Sequence, residues 1–372
     1  MRVLSMAQIV LVSLLLSNCE LTGSSDDGSA GIVWKRMSED LRLSNLSADS
    51  DGIIFGLSSR PNPDANREEH VIVLSADDGE TWSDLLTITE NIHNLSILLS
   101  VSSSGTIFVI ASPVLTETNP RHNTGRFYRS RNHGTDWEPV QGLPWEGVGF
   151  ATSMAVSRDG TVYVGTGGNP GVQAVYRSDD EGETWIQTAL RSDSLGAIFA
   201  PLYEGSDGVL FVVANNEYLL RSQDRGRTWA PASIPWTATV RPPALEAKLW
   251  VSPSNTLYTV GSDESASLFF RSTDLGSTWQ QVSLGVGFND LVFPEPEVLV
   301  ASGVIGEQGV FISLDRGEQW EPIYEGFPVT STGALRGDVG ELFVDSEGYV
   351  YALHHVARPL GSLYKTEKTV RR

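Results

Sequence analysis

The sequence predicts an all-β fold: a seven-bladed β-propeller of four-stranded antiparallel blades, its ring closed by pairing of the N- and C-terminal strands. Three observations carry this reading. A pattern Ser-x-Asp-x-Gly-x-Thr-Trp, or a near copy, occurs six times, at Ser75–Trp82, Ser130–Trp137, Ser178–Trp185, Ser222–Trp229, Ser272–Trp279 and Ser313–Trp320. A tight turn followed by a short apolar strand occurs seven times. The two halves of a seventh Trp pattern stand at opposite ends of the chain. The Trp residues recur every 41 to 55 positions. That is the period of a supersecondary unit in a repeat architecture rather than of ordinary domains.

The seven turn-and-strand copies are Asp51–Phe55, Ser104–Phe108, Asp159–Tyr163, Asp207–Phe211, Ser254–Tyr258, Glu295–Leu299 and Glu347–Tyr351. Asp-Gly and its relatives ahead of β-branched and aromatic residues mark hairpins. Leu363–Thr366 matches the strand that leads into a Trp pattern, as in Val175–Ser178. Val33–Lys35 matches the strand that leaves one, as in Thr184–Ile186. The last blade therefore takes its outer strand from the N-terminus, which closes the ring and leaves only short, protected edges.

Turn chemistry and packing account for every residue of the pattern. The Asp carboxylate accepts backbone N–H bonds across a tight turn, the Gly takes positive φ, the Ser and Thr hydroxyls brace the Asp, and the Trp buries its ring between blades. Asp77, Asp180, Asp224, Asp274 and Asp315, with Trp82, Trp137, Trp185, Trp229, Trp279 and Trp320, are therefore read as scaffold. The second copy departs most, with Asn132 for Asp and Asp136 for Thr, and the sixth has Gln319 for Thr.

These motifs resemble Asp-box (BNR) repeats, as in bacterial sialidases, sortilin-type receptors, xyloglucan-cleaving glycosidases and photosystem II assembly factors. The resemblance covers nearly the whole chain after about residue 31. It implies the propeller fold. It does not imply one activity, because the family holds both glycosidases and non-enzymatic binders, and one scaffold hosts many sites.

Residues 1–18 read as a lipoprotein-type signal peptide: Arg2, then an apolar run from Val3 to Leu16, too short for a good membrane span. Leu16–Cys19 resembles a lipobox, with Cys19 as the lipidation site, and Cys19 is the only cysteine. Residues 19–30 form a Ser-, Gly- and Asp-rich flexible tether, and residues 31–372 the propeller. This places the protein in a bacterial cell envelope, lipid-anchored on the outer-membrane or periplasmic side, or secreted if Cys19 is not lipidated. The net charge of −20 argues against nucleic acid and anionic lipid as partners. The membrane is then met only through the anchor, by a monomeric propeller. Only four lysines occur, so arginine carries nearly all the positive charge.

Function is expected on the face opposite the Trp patterns, where hairpin and blade-linking loops vary in length. Two look long, Ser58–His70 and Ser112–Arg126. Arg42, His93, Arg241, Asn289 and Arg336 lie nearest the central channel, with Asp290, Asp338, His354 and Arg358 as further polar candidates. Trp145 and Trp236 sit in blade-linking loops, where they stack on a ligand if exposed or fill the gap between blades if buried. Adjacent histidines such as His354 and His355 point to opposite faces of a strand, and no His/Cys/Asp spacing resembles a metal site. No cofactor motif stands out.

Two functions remain open. One is a non-enzymatic scaffold that recognises a glycan or an envelope protein. The other, by resemblance, is a sialidase-like glycoside hydrolase. Arg42-Leu43-Ser44, nine positions before Asp51-Gly52, matches the register of the first sialidase arginine, and Arg60 lies in the following loop. Arg42, Arg60, Arg241 and Arg336 would then clamp a carboxylate. Against this, Ser44 stands where that family has Pro, and no Tyr–Glu nucleophile pair emerges, Tyr203 and Tyr324 being the nominees. Sialidases also have six blades where this chain has seven. No carboxylate pair for glycoside hydrolysis stands out. Binding is the favoured reading.

Overall fold

The computed structural model describes residues 31–62, 67–88, 95–113, 126–143, 149–157, 159–168, 174–191, 202–214, 218–235, 248–263, 266–357 and 360–371. These residues form seven antiparallel sheets of four strands each. The inner strands of blades 1 to 7 are Leu43–Ala48, Leu95–Val101, Gly149–Val156, Leu202–Glu204, Leu249–Val251, Val286–Glu295 and Asp338–Val344. Each of the first six blades continues outward in chain order. Blade 7 takes Val350–Ala357 and Leu360–Thr366, and its outer strand is Trp34–Leu41 from the start of the described chain. Trp34 pairs with Thr366, and Lys35 with Lys365.

Apolar residues of the second and third strands fill the gaps between blades. Ile54, Phe55, Ile107, Phe108, Tyr163, Phe211, Tyr258, Val298 and Tyr351 are all fully buried. The core is thus a set of inter-blade clusters rather than one centre. Trp34 seals the last gap: it is 2% exposed, its indole N–H donates to the Ile323 carbonyl of blade 6, and its ring lies 5.1 Å from Phe327. The six Trp residues of the repeated turns are only half-buried, so they edge the gaps rather than fill them. Three of them, Trp82, Trp229 and Trp320, donate to the carbonyl of their own turn glycine at 3.1–3.2 Å.

The repeated turn has one geometry. In the first copy the Ser75 hydroxyl donates to Asp77 Oδ1 (2.8 Å) and accepts the Gly79 N–H (2.8 Å). Asp77 accepts the N–H of Thr81 at 2.8 Å and its hydroxyl at 2.5 Å. Two of the three residues between lie in the left-handed region, Asp78 at φ 60° and Gly79 at φ 88°, which only Gly adopts without cost. The bonds hold these carboxylates low. Thr228 and Ser222 bring Asp224 to about 2, Thr278 and Ser272 bring Asp274 to about 2, and at Asp180 burial is outweighed by Thr184 and Ser178, again to about 2.

The divergent second copy keeps the geometry by exchanging donor for acceptor. Asn132 Nδ2 donates to Asp136 Oδ2 (3.0 Å), while Asn132 Oδ1 accepts the Asp136 N–H (2.9 Å). Restoring the repeat's own Asp here should therefore destabilise. Asn132→Asp sets two carboxylates face to face, and about 1–2 kcal/mol should be lost at neutral pH. Thermal unfolding at pH 7 and pH 3.5 checks this, since protonation at the lower pH restores a donor.

Arginine tie-bars join successive blades on this face. The residue before the turn serine is Arg129, Arg177, Arg221 or Arg271 in blades 2 to 5. Each guanidinium reaches backbone carbonyls in the next blade's turn: Arg129 to Glu181, Arg177 to Arg225 (3.2 Å), Arg221 to Leu275 (2.8 Å) and Arg271 to Arg316 (3.2 Å). Lys365 of blade 7 pairs with Asp78 of blade 1 at 2.7 Å. A rigid planar fork suits adjacent carbonyls better than an ammonium, which accounts for part of the arginine bias in the composition.

Candidate functional site

The inner strands line the central channel, and, besides that of blade 3, those of blades 1, 6 and 7 each carry a bulge. Register shifts between Ser44 and Ser47, between Phe288 and Asp290, and between Val339 and Glu341. A bulge takes N–H groups out of the ladder, and each must find another acceptor. Asp290 and Glu341 supply it. Asp290 Oδ1 accepts the Leu291 N–H (2.8 Å) and the Trp250 indole N–H of blade 5 (3.3 Å), and its Oδ2 accepts the Leu342 N–H of blade 7 (2.9 Å). The Glu341 carboxylate accepts the N–H groups of Asn45 (3.0 Å) and Leu46 in blade 1. Asn45 then donates to the Ile97 carbonyl of blade 2 (3.2 Å). Lys248 of blade 5 donates to the Phe288 and Asn289 carbonyls of blade 6. A continuous polar seam thus runs along the channel wall through five of the seven blades, 5, 6, 7, 1 and 2.

Burial sets the electrostatics of this seam. It raises Asp290, although its N–H partners oppose the shift. It raises Glu341 to about 7, with the neighbouring Asp290 adding to the effect. It lowers Lys248. Sequence reading marked Asp290 but not Lys248, Trp250, Glu341 or Asn45. The usable signal was positional: Asn45, Asp290 and Glu341 each stand just before an inner-strand leucine, at Leu46, Leu291 and Leu342.

The other candidates scatter. Arg42 pairs with Glu68 at 3.3 Å. Arg60 pairs with Glu69 (2.7 Å) and with Asp84 of the outer strand (2.6 Å), and these carboxylates raise its pKa. It points outward along blade 1, away from the channel. The long loop expected at Ser58–His70 is largely strand, because the ladder continues through Arg60–Glu69 to Asn62–Arg67. Asn289 is exposed and donates to the Val339 carbonyl at 3.3 Å. His354 is buried, its Nε2 2.7 Å from the Arg336 carbonyl, its ring near Phe327 and Tyr364, and burial lowers its pKa. The Arg336 side chain is exposed, and Asp338 is half-buried at the start of its strand. Tyr324 donates to Glu307 at 3.0 Å, but at the outer part of blade 6, and burial and Glu307 raise its pKa rather than activate it. Cys19, His93, Trp145, Trp236, Arg241 and Arg358 lie outside the described residues, as do the signal-peptide and tether segments.

Two further surfaces stand out among the described residues. On the repeated-turn face, Asp159, Glu204, Ser206, Asp207, Arg225 and Ser252 help line a cavity of ≈ 420 Å³ among blades 3 to 5, spanned by the Arg225–Asp159 ion pair (2.8 Å). On the opposite face, large apolar side chains are exposed at hairpin ends and a linker: Tyr218 in blade 4, Val304 in blade 6, Val356 and Leu360 in blade 7, and Val329 between blades 6 and 7. Ile186 is exposed elsewhere, on the outer strand of blade 3.

No family model matches the chain, and no curated protein matches it. Solved structures do. The chain is similar to YCF48 from Cyanidioschyzon merolae, at 16% identity and TM-score 0.59, over 90% of this chain and 98% of that one. It is similar to YCF48 bound to D1 peptide, at 15% identity and TM-score 0.60, over 91% and 97%. It is also similar to a GH74 xyloglucanase from Xanthomonas campestris, at 17% identity and TM-score 0.58, over 89% of this chain and 55% of that one. At such identities the likeness concerns the fold.

Proposed function

We propose that this protein is a non-enzymatic binding propeller that engages a protein partner through the face opposite its repeated turns. The observation that carries the proposal is the exposure of Val304, Val329, Val356 and Leu360 on adjoining blades 6 and 7. Apolar side chains exposed on one face of adjoining blades are what an interaction surface presents. The reading is supported from a second side: Arg42 and Arg60 are engaged with the chain's own carboxylates and belong to the scaffold. One of the similar propellers, YCF48, has a structure with a bound D1 peptide. In the same proposal the Ser-x-Asp-x-Gly-x-Thr-Trp turns are Asp-box repeats, and Cys19 tethers the propeller to the bacterial envelope.

A glycoside hydrolase is the second reading, and Glu341 favours it. A carboxyl titrating near 7 in the channel wall, with Asp290 beside it, has the protonation of a general acid. Both Glu341 oxygens are nevertheless engaged by main-chain N–H groups, which suits a tie better than a proton donor. The test is turnover of fluorogenic sialosides and of xyloglucan by the purified protein. No hydrolysis is expected; hydrolysis that disappears in Glu341→Gln would overturn the binding reading.

A further inference from the structure

The repeated-turn face carries a second kind of contact between blades. In several copies the residue before the turn glycine reaches the inner hairpin turn of the preceding blade. Arg225 pairs with Asp159 in this way at 2.8 Å, and Glu181 accepts from the Thr106 hydroxyl at 3.4 Å. Between blades 1 and 2 the position holds His133, and it faces Asp49. This contact differs from the others in that the two facing atoms form no hydrogen bond among the described residues. Asp49 Oδ1 accepts the N–H groups of Asp51 (2.9 Å) and Ile53 (3.0 Å). Asp49 Oδ2 and His133 Nδ1 are buried and have no hydrogen-bond partner among the described residues, and the Asp49 side chain is only 1% exposed.

The repeat supplies its own control. Asp345 occupies the place of Asp49 in blade 7, with the same two turn bonds to Glu347 and Tyr349 N–H groups. There the second oxygen accepts the Tyr351 hydroxyl at 3.3 Å. In blade 1 the matching residue is Phe55, which has no hydroxyl. Burying a carboxylate oxygen with no partner is costly, so the orphaned Oδ2 points to a missing partner.

Distance and donor set identify that partner. Oδ2 and Nδ1 stand 3.4 Å apart, beyond the usual 2.7–3.2 Å of an N–H···O bond. Two ligands each about 2.1 Å from one tetrahedral ion are about 3.4 Å apart. The Asp51 carboxylate completes the group, and the three ligand atoms lie within 4.8 Å of one another. The site is also shaped for the ring: a Cβ at Gly105 would lie 2.4 Å from His133 Cε1, so only glycine leaves the imidazole its place.

We infer that Asp49, Asp51 and His133 form a divalent metal site, with Zn²⁺ as its ion, that clips the inner turn of blade 1 to the repeated turn of blade 2. One nitrogen and two carboxylate oxygens are a borderline set suited to zinc or cobalt rather than to calcium. Three protein ligands leave a fourth position to water. Sequence spacing does not show the site because its ligands come from two blades.

Zinc titration of the purified, EDTA-treated protein tests the inference, followed by calorimetry and by the visible spectrum with Co²⁺. One ion per chain is expected, with a tetrahedral Co²⁺ spectrum, and saturating Zn²⁺ should raise the Tm by on the order of 4 °C. His133→Ala should abolish the site. Asp51→Asn, at an exposed position that leaves the turn bonds of Asp49 intact, should weaken binding at least tenfold while the metal-free Tm stays unchanged. Zinc uptake that is the same in His133→Ala overturns the inference. So does a wild-type protein that takes up neither Zn²⁺ nor Co²⁺, which identifies a plain His–Asp contact.

Discussion

Replacing Asp290 by alanine should cost about 3–5 kcal/mol of stability, among the largest effects of any single polar substitution in this chain. The carboxylate accepts three N–H groups, from Leu291, Leu342 and Trp250. Truncation leaves them without a protein acceptor in the wall shared by blades 5, 6 and 7. Urea unfolding checks the size of the effect, and a loss below 1 kcal/mol would contradict the role given to the seam. The same seam makes stability depend on pH. Glu341 has a folded pKa of about 7 against an ordinary 4.5, so the folded state holds a proton that the unfolded chain has released. That contribution is fully present below about pH 4.5 and lost as pH rises through about 7. The turn carboxylates act oppositely. Asp180, Asp224 and Asp274 lie at about 2 against an ordinary 3.8, so their contribution is present above about pH 4 and lost as pH falls through 2. Maximum stability is expected between about pH 4 and 5, and Glu341→Gln should flatten the alkaline limb.

Trp34→Ala should cost a further large amount, about 3–5 kcal/mol, because a fully buried indole is removed from the joint that closes the ring. Trp34 packs on Phe327, donates to Ile323 and begins the outer strand of blade 7. Trp185→Ala, at a half-buried ring whose indole N–H has no partner among the described residues, should cost distinctly less. Parallel thermal melts and limited proteolysis distinguish the two. If the variants melt together, the N-terminal strand does not close the ring.

The closure was legible because the chain repeats itself. Seven hairpin signals against six complete Trp patterns leave one pattern divided, and Val33–Lys35 and Leu363–Thr366 are its halves. What could not be read was the direction of individual polar side chains. Asp290 looked like part of a ligand-facing set, yet a bulge one residue earlier turns its carboxylate onto neighbouring main chain. Arg60 looked like a clamp at a loop, yet a longer hairpin ladder sets it beside Glu69 and Asp84. The arginine before the turn serine in blades 2 to 5 was visible, as in Tyr128-Arg129-Ser130 and Tyr176-Arg177-Ser178, but its carbonyl partners belong to the next blade. Register and inter-blade contact depend on the closed ring, and local sequence does not encode them singly.

The binding account rests on where a partner touches the propeller. Photo-crosslinking residues placed in living cells at positions 304, 356 and 186 test that directly, because all three side chains are exposed and only the first two lie on the face of blades 6 and 7. Binding of a protein partner on this face predicts one discrete protein adduct at 304 and 356 and none at 186. Equal labelling at all three positions, or no adduct at 304 and 356 from a protein that hydrolyses a glycoside, would contradict it.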